Sequence, residues 1–530
     1  MPVELAIENA RIVDGTGAPW FRGAVGVEDG TITEIRRGRD PVFSADVCID
    51  ANGSVLCPGF IDAHSHSDLE LFADPTLAPK TRQGITTEIL GQDGFSMAPL
   101  YDGIESWQDY VSGLAGRLEG EWSWNSIAEY LDGIDAAGVA PNVATLVGHG
   151  TVRYEILGMD DVEPTDAELE TMADLVAEGL ADGAVGFSSG LVYTPQVYSS
   201  TEEVSRLAAE LEPHGRPFVA HIRSEGRWIW EAMDEFIDIG AEHSVPIHQS
   251  HFKLTGSGQR GRVDRVLEQV ELARERGVDM TADQYPYTAG SSMLTSLLPP
   301  WMQSKNAEEM RAALADPERR EAIRRDIEEW RIEGWENVGG KTGWDRVEMT
   351  NLTSEEYRAD AGKDLATIAS EREVEPVDVL CDVLHAEDLD AAMIAHGMVE
   401  SDVQRILKSD RVAVGTDGLF GSRPHPRVYG SYPRVLSRYV REEGVLSLEE
   451  AVYKMTALPA RIYGLDSKGV LRPGLDGDMV VFDPHVVADQ ATFEDPRRTP
   501  RGIENVFVDG TAIVRDGAVT DARPGKAIRA

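Results

Sequence analysis

His64 and His66 stand two positions apart, just past the apolar run VLCPGFIDA. Side chains alternate across a strand, so positions i and i+2 project to one side and the two imidazoles converge on one point. An isolated HxH carries little weight, since a histidine near a strand end is usually a satisfied polar group. Here, however, ionisable residues also close other apolar runs: Asp93 after ITTEILGQ, His221 after FVA, His251 after VPIHQS, and Asp417 in VAVGTDG. Zinc accepts imidazole nitrogen and carboxylate oxygen, and a catalytic site keeps one position open for water. Five strand ends agreeing in residue type and order point to a metal centre that activates water. The other histidines weigh less. His214, His243, His385 and His485 read as surface or loop residues. His149, in LVGHGTVR, reads as a brace for its loop through a backbone hydrogen bond, and His248 is expected on the face of its strand opposite His251.

The elements that must position these groups form a repeating pattern. Short apolar runs end in polar clusters eight times: FIDAHSH, ITTEILGQD, VATLVGHG, AVGFSS, FVAHIRSE, VPIHQSH, VDMTADQY and VAVGTDG. Helix-like stretches such as TDAELETMADLVAEGLADG lie between most of them. Strands alternating with helices predict βα units and a parallel sheet, and eight of them predict closure into a TIM-like barrel, whose catalytic residues sit at the C-terminal strand ends. A ninth run, AAMIAHG at residues 391–397, is surplus to that count. Residues of about 288–352, rich in Trp and charge, interrupt the rhythm before the eighth strand. An insertion there lies over the catalytic face, either as a lid or as a helical hairpin without a role. Short β patterns at both ends, residues 1–58 and 466–530, predict one small sheet domain beside a barrel of residues 59–465.

Bulk properties exclude several classes. The chain of 530 residues carries 92 acidic against 50 basic side chains, a net charge of −42, so nucleic acid and anionic membranes are poor partners. No run approaches the roughly 18–20 apolar residues of a membrane span, nor is there a signal-like N-terminus, and a cytoplasmic enzyme is expected. Cys48, Cys57 and Cys381 form no CxxC pair and read as ordinary buried thiols. The acid excess is spread along the chain and arginine far outnumbers lysine. That balance fits a surface adapted to a salt-rich cytoplasm, with an ordinary acidic enzyme as the alternative.

At the motifs PGFIDAHSHSD, LVGHGTVR, GAVGFSSGLVYTPQVYSS, HIRSE, HQSHFK, QYPYTAGSS, GTDG with HPRVYGSYPRVL, and KMTALPARIYGL, the sequence resembles the amidohydrolase superfamily and, within it, the N-acyl-D-amino-acid deacylases (D-aminoacylases). The resemblance runs nearly end to end. It implies a distorted (β/α)8 barrel, a small β-sandwich built from both termini, and an insertion after the seventh strand. It further implies that His64 and His66 form the first metal pair, that His221 and His251 help hold the tight zinc, and that Asp417 is the general base. Lys253, Tyr285, Ser291 and Arg427 fall where relatives contact the substrate carboxylate, and fixed cations suit that task. One departure stands out. Relatives usually read GNCG, the cysteine being a metal ligand, whereas this chain reads Gly91-Gln92-Asp93-Gly94. A carboxylate also ligates zinc, but its hardness alters metal preference and number. The carboxylated lysine that bridges two metals in hydantoinases has no counterpart, because Lys80, the one lysine between His66 and His221, precedes QGITT rather than closing a strand.

The expected activity is metal-dependent hydrolysis of N-acyl-D-amino acids, with one or two divalent ions, zinc foremost. Another C–N hydrolase of this scaffold, dipeptidase-like or acting on cyclic amides, and an inactive scaffold protein are the alternatives. The sequence leaves the oligomeric state open.

Overall fold

All eight predicted runs are short strands: Phe60–Asp62, Ile85–Leu90, Asn142–Thr145 continued by Val147–Gly148, Phe187–Gly190, Phe218–His221, Ile247–Gln249, Met280–Gln284 and Val412–Val414. The structure, a computed structural model, describes every residue except 1, 40, 119, 121 and 333. The strands pair in parallel and in chain order, as one three-stranded and one six-stranded piece that meet within the third strand. The ring closes between the eighth and first strands by few backbone bonds, Ala63 N to Val414 O at 3.4 Å and Asp417 N to His64 O at 2.8 Å. The result is a distorted (β/α)8 barrel.

Side chains supply much of that closure. Asp62 accepts from Thr416 N at 2.7 Å and from Lys80 Nζ at 2.8 Å, and Tyr432 Oη lies 2.7 and 2.9 Å from the carbonyls of Ile61 and Val414. Helices pack outside the strands as their sequences dictate. Thr165 and Glu168 form a capping box that starts helix Asp166–Ala181, whose apolar positions Met172, Ala173, Val176 and Leu180 share its buried face. Gly179 lies where that helix presses on the third strand, and a Cβ there would stand 2.6 Å from Val147.

Both chain ends join one nine-stranded sheet. Val55–Pro58 pairs on one side with Val3–Ile12 and on the other with Met479–Phe482, which ties the N-terminal strands to the C-terminal ones. Val3–Ile12 takes three partners, so the sheet branches there and folds over Ile7, Ile12, Val25, Leu56, Val481 and Phe507, making the small β-sandwich. Cys48 departs from expectation. It is exposed, because its strand Ala45–Asp50 lies off the main path of the sheet and pairs only with Val3–Ile12, while Cys57 and Cys381 are buried.

The surplus ninth run has a place. Ala392–Ala395 is the central strand of an antiparallel sheet between Gly290–Met293 and Val347–Thr350. The inserted unit therefore reaches past residue 352, and it is more than a helical hairpin. It has its own apolar core, including Leu297, Met302, Ile323, Met349, Leu380 and Met393.

Candidate functional site

The barrel strands deliver their ionisable residues to one buried point. The Nε2 atoms of His64 and His66 stand 3.2 Å apart. Asp93 Oδ2 lies 3.8 Å from His64 Nε2, 3.7 Å from His66 Nε2, 4.0 Å from His221 Nδ1 and 3.6 Å from His251 Nε2. Asp417 Oδ1 is 3.4 Å from His66 Nε2 and 3.7 Å from His64 Nε2. The side chains thus make two groups, His64, His66, Asp93 and Asp417, and Asp93, His221 and His251, with Asp93 common to both. Ligand atoms about 2.1 Å from a tetrahedral ion lie about 3.4 Å from one another, close to these separations. Asp93 Oδ1 and His221 Nδ1 are buried with no hydrogen-bond partner among the described residues. Buried polar atoms are seldom left so, and His221 Nδ1, 4.0 Å from Asp93 Oδ2, suits a cation as its partner. The residues present suit one or two divalent ions of the zinc type.

Local backbone geometry serves the same end. Asp93, His251 and Asp417 have φ of 55°, 34° and 48°, the left-handed region that non-glycine residues seldom enter. Such conformations cluster at functional sites because surrounding structure must hold them. For Asp93, Ser188 does part of that work, accepting from Gly94 N at 3.0 Å, and Gln196 Nε2 donates to Asp93 O at 3.0 Å. His251 lies beyond the end of its strand, so simple alternation does not fix its direction relative to His248.

Burial and charge compete at each group. Burial disfavours the charged form of Asp93, but His251 and His64 outweigh it and hold the carboxyl well below its ordinary range. Burial likewise acts against Asp417, and Arg427 with the histidines keeps it ionised. His221 is pushed down to about 3, chiefly by burial, and is neutral, as ligation requires. For His251, burial and Lys253 lower the pKa, yet Glu225 and Asp93 raise it to about 9.

A second layer of residues, which the motifs did not single out, orients the first. Asp283 Oδ2 lies 3.4 Å from His64 Nδ1 and 3.1 Å from His248 Nε2, and Asp283 Oδ1 accepts from His251 N at 3.0 Å. A carboxylate on the distal nitrogen of a metal-binding histidine fixes its tautomer and orientation. His248 therefore does not turn away; it lies inside the barrel and shares Asp283 with His64. Glu225 Oε1 stands 3.0 Å from His251 Nδ1 and accepts from Lys253 Nζ at 2.6 Å. The signals available were a lone acid within the apolar strand Met280–Gln284 and an acid four residues after His221.

The four expected carboxylate contacts all line the pocket beside Asp417. They differ in what they have to offer. Arg427 is fully buried, with Nη1 2.7 Å from Asp417 Oδ2 and Nη2 donating to Ser291 O at 3.1 Å. Nη1 is thus engaged by the Asp417 carboxylate, while Nε makes no hydrogen bond among the described residues, and neither does Tyr285 Oη. The Arg427 guanidinium lies 4.6 Å from the Tyr285 ring centre. Lys253, by contrast, already donates to Glu225 Oε1 at 2.6 Å and to His251 O at 3.2 Å, so it brings chiefly fixed charge. His425, unnoticed in the sequence, accepts through Nδ1 from Arg427 N at 3.0 Å. Two further expectations resolve here. His149 is a brace, but through side chains, with Ser189 Oγ at 2.9 Å and Glu203 Oε1 at 2.8 Å. Lys80 lies behind the site on Asp62, Ser65 and Thr416, and belongs to neither metal-binding group.

The inserted unit forms part of the pocket wall through Trp335, Glu336, Val338 and Lys341, so it stands over the catalytic face.

Comparison with known proteins agrees with this geometry. The model of the amidohydrolase family matches residues 47–514. The D-aminoacylase of Alcaligenes xylosoxydans xylosoxydans is 34% identical over 529 residues, covering 99% of this chain and 98% of that protein. A D-aminoacylase structure concerned with its binuclear metal centre superposes with a TM-score of 0.82 at 34% identity, over 100% of both chains. The N-acyl-D-glutamate deacylase of Bordetella bronchiseptica, complexed with zinc and a phosphonate mimic of the tetrahedral intermediate, gives 0.83 at 34% identity, again over 100% of both chains. With the barrel, the two histidine pairs and full-length similarity in agreement, the chain belongs to the amidohydrolase family and, within it, to the N-acyl-D-amino-acid deacylases.

Proposed function

We propose that the chain hydrolyses the amide bond of N-acyl-D-amino acids, releasing a carboxylate and a free D-amino acid. The observation that carries this reading is Asp93 Oδ2, within 4.0 Å of four histidine nitrogens and next to an Asp417–Arg427 pair in one pocket. Asp93, His221 and His251 would hold one ion, and His64, His66, Asp93 and Asp417 a second. Zinc bound there supplies Lewis-acid polarisation of the amide carbonyl and a nucleophilic water at neutral pH.

The chain's own residues do the rest. Asp417 keeps Oδ1 toward the histidines and Oδ2 toward Arg427, so an ionised oxygen is ready to take the proton of the attacking water. The same carboxyl then returns that proton to the departing amine nitrogen. Arg427, a fixed cation in the pocket beside Asp417, binds the substrate's α-carboxylate, with Tyr285 and Ser291 beside it. Lys253 adds positive charge and holds Glu225 against His251. Fixing the carboxylate at one end and the carbonyl at the other sets the orientation of the stereocentre.

Zinc-loaded protein should hydrolyse N-acetyl-D-amino acids and discriminate against the L-enantiomers. Turnover of cyclic amides or L-dipeptides in preference would overturn the reading. The acid excess, 92 acidic residues against 50 basic ones, supports a salt-rich working environment. No described helix is long and apolar enough to cross a membrane.

A further inference from the structure

The motifs LVGHGTVR and GAVGFSSGLVYTPQVYSS supply no side chain to either metal-binding group, yet they converge on the main chain of Asp93. Their meeting point is Gln196, which is fully buried. Its Nε2 donates to Asp93 O at 3.0 Å, and its Oε1 accepts from Gly190 N at 2.6 Å. A reversed amide would set N–H against N–H and oxygen against oxygen, so these partners leave it one orientation. Three segments give up a side chain to make room. A Cβ at Gly94 would overlap Gln196 Oε1, one at Gly150 would stand 2.6 Å from Gln196 Nε2, and one at Gly190 would overlap Asp93 O. The strand end that holds Oε1 is itself pinned. Ser189 Oγ lies 2.9 Å from His149 Nδ1, His149 Nε2 lies 2.8 Å from Glu203 Oε1, and Arg153 is bonded to Glu203 Oε2, all of them buried.

We propose that Gln196 is a positioning residue of the metal centre, acting through the main chain of Asp93. This rests on the reading of Asp93 as the ligand common to both metal groups. Asp93 has φ of 55°, a conformation that its surroundings must hold. Gln196 grips one edge of the peptide unit between Asp93 and Gly94, at the Asp93 carbonyl. Ser188 grips the other, where Gly94 N donates to its Oγ at 3.0 Å. Clamped at both edges, the unit cannot turn over, and the Cα–Cβ bond of Asp93 keeps its direction. That direction places Oδ2 within 4.0 Å of nitrogens from His64, His66, His221 and His251. Without the bond from Gln196, the turn can relax toward an ordinary φ and carry the carboxylate off that point.

The test is Gln196→Met, which has similar length and neither bond. Zinc affinity is measured on the full chain by competition with a chelator. Cobalt(II), which accepts the same nitrogen and oxygen ligands, is then loaded to saturation and its visible absorption recorded. Zinc affinity should fall about tenfold or more, as it does when other groups that orient metal ligands are removed. The cobalt bands should change in position or intensity, because the coordination geometry changes. A Gln196 that only tied down its own loop, which carries Tyr193 into the pocket wall, would raise KM and leave both metal readouts unmoved. That result would overturn the proposal, and so would weaker zinc binding with an unaltered cobalt spectrum, the mark of general destabilisation. If the methionine variant does not fold, Gln196→Asn serves. It keeps an amide but is too short to span Asp93 O and Gly190 N, so it should alter the cobalt spectrum in the same way, and an unaltered one refutes the role. Asp93→Asn tells this failure from failure of the reading beneath it. Full zinc in Asp93→Asn removes Asp93 from the ligands, whereas zinc lost there but held normally by Gln196→Met denies only the part given to Gln196.

Discussion

Asp93→Asn removes one charge from the point that both metal groups share, with almost no change of shape. Asparagine tolerates the left-handed region, so the φ of 55° survives the substitution. Neither oxygen of Asp93 accepts a backbone N–H among the described residues, so no turn-capping bond is lost. What is lost is attraction. A carboxylate oxygen about 2.1 Å from a dication is favoured by about 4 kcal/mol even at the dielectric constant of bulk water, equivalent to about 10³-fold in affinity. The amide dipole of asparagine returns part of this, and we expect zinc affinity to fall about 10²–10³-fold. Because Asp93 serves both groups, neither metal position escapes. The assay is zinc per chain after dialysis against a graded chelator, with amide hydrolysis and the melting temperature of the metal-free protein measured in parallel. Zinc and turnover should fall together while the metal-free melting temperature holds. Full zinc with full turnover would refute Asp93 as a ligand and return it to the role of a turn residue.

Asp417→Asn should retain most of its metal but lose about 10²–10⁴-fold in kcat, because the amide cannot accept the proton; a near-normal rate would mean that another group is the base. Asp283→Asn should lower zinc affinity about 10–100-fold by loosening the tautomer and orientation of His64, read by metal titration rather than by activity alone. Arg427→Met should raise KM for N-acetyl-D-amino acids while substrates lacking the α-carboxylate are affected less; equal losses on both would deny it the carboxylate-binding role. If the acid excess is a salt adaptation, the melting temperature should climb from low to molar salt, and a flat profile would leave an ordinary acidic enzyme.

How far the sequence disclosed this site follows from the range of the interactions involved. The eight strands were legible because apolar runs closing on polar clusters are local patterns, and parallel pairing in chain order then places every such cluster at one end of a barrel. His64, His66, Asp93, His221 and His251 share that local signature. Asp283 and Glu225 do not advertise themselves, since a lone acid in a strand or loop gains meaning only from the histidines it faces across other strands. The strand Ala392–Ala395 was visible as a strand, but its antiparallel partners lie about 45 and 100 residues earlier in the chain, a non-local pairing that periodicity does not encode. The alternation rule misdirected His248 because its premise, a regular strand through residue 251, fails two residues short. Lys253 was recognisable as a cation in the right place, yet its attachment to Glu225 depends on two loops meeting.

The closure of the barrel and the chemistry of the site are one problem. His64 and His66 lie on the first strand's end and Asp417 on the eighth's, so the seam with the fewest backbone bonds separates the histidine pair from the proposed base. Any slip there would alter the 3.4 Å and 3.7 Å separations on which Asp417's role depends. The chain fills that seam with buried polar groups rather than apolar ones: Asp62 to Thr416 and Lys80, Lys80 to Ser65, and Ser65 to Glu88. Buried ion pairs gain little over well-packed apolar side chains in stability alone, because desolvation offsets their attraction. Their directional bonds instead fix register, which apolar packing does less sharply. Lys80 is the clearest case. Burial disfavours its charge, but Asp62 and Glu88 outweigh that and raise its pKa, which favours the cation. A lysine that forms no part of the metal site thereby sets where the metal-binding histidines stand relative to Asp417.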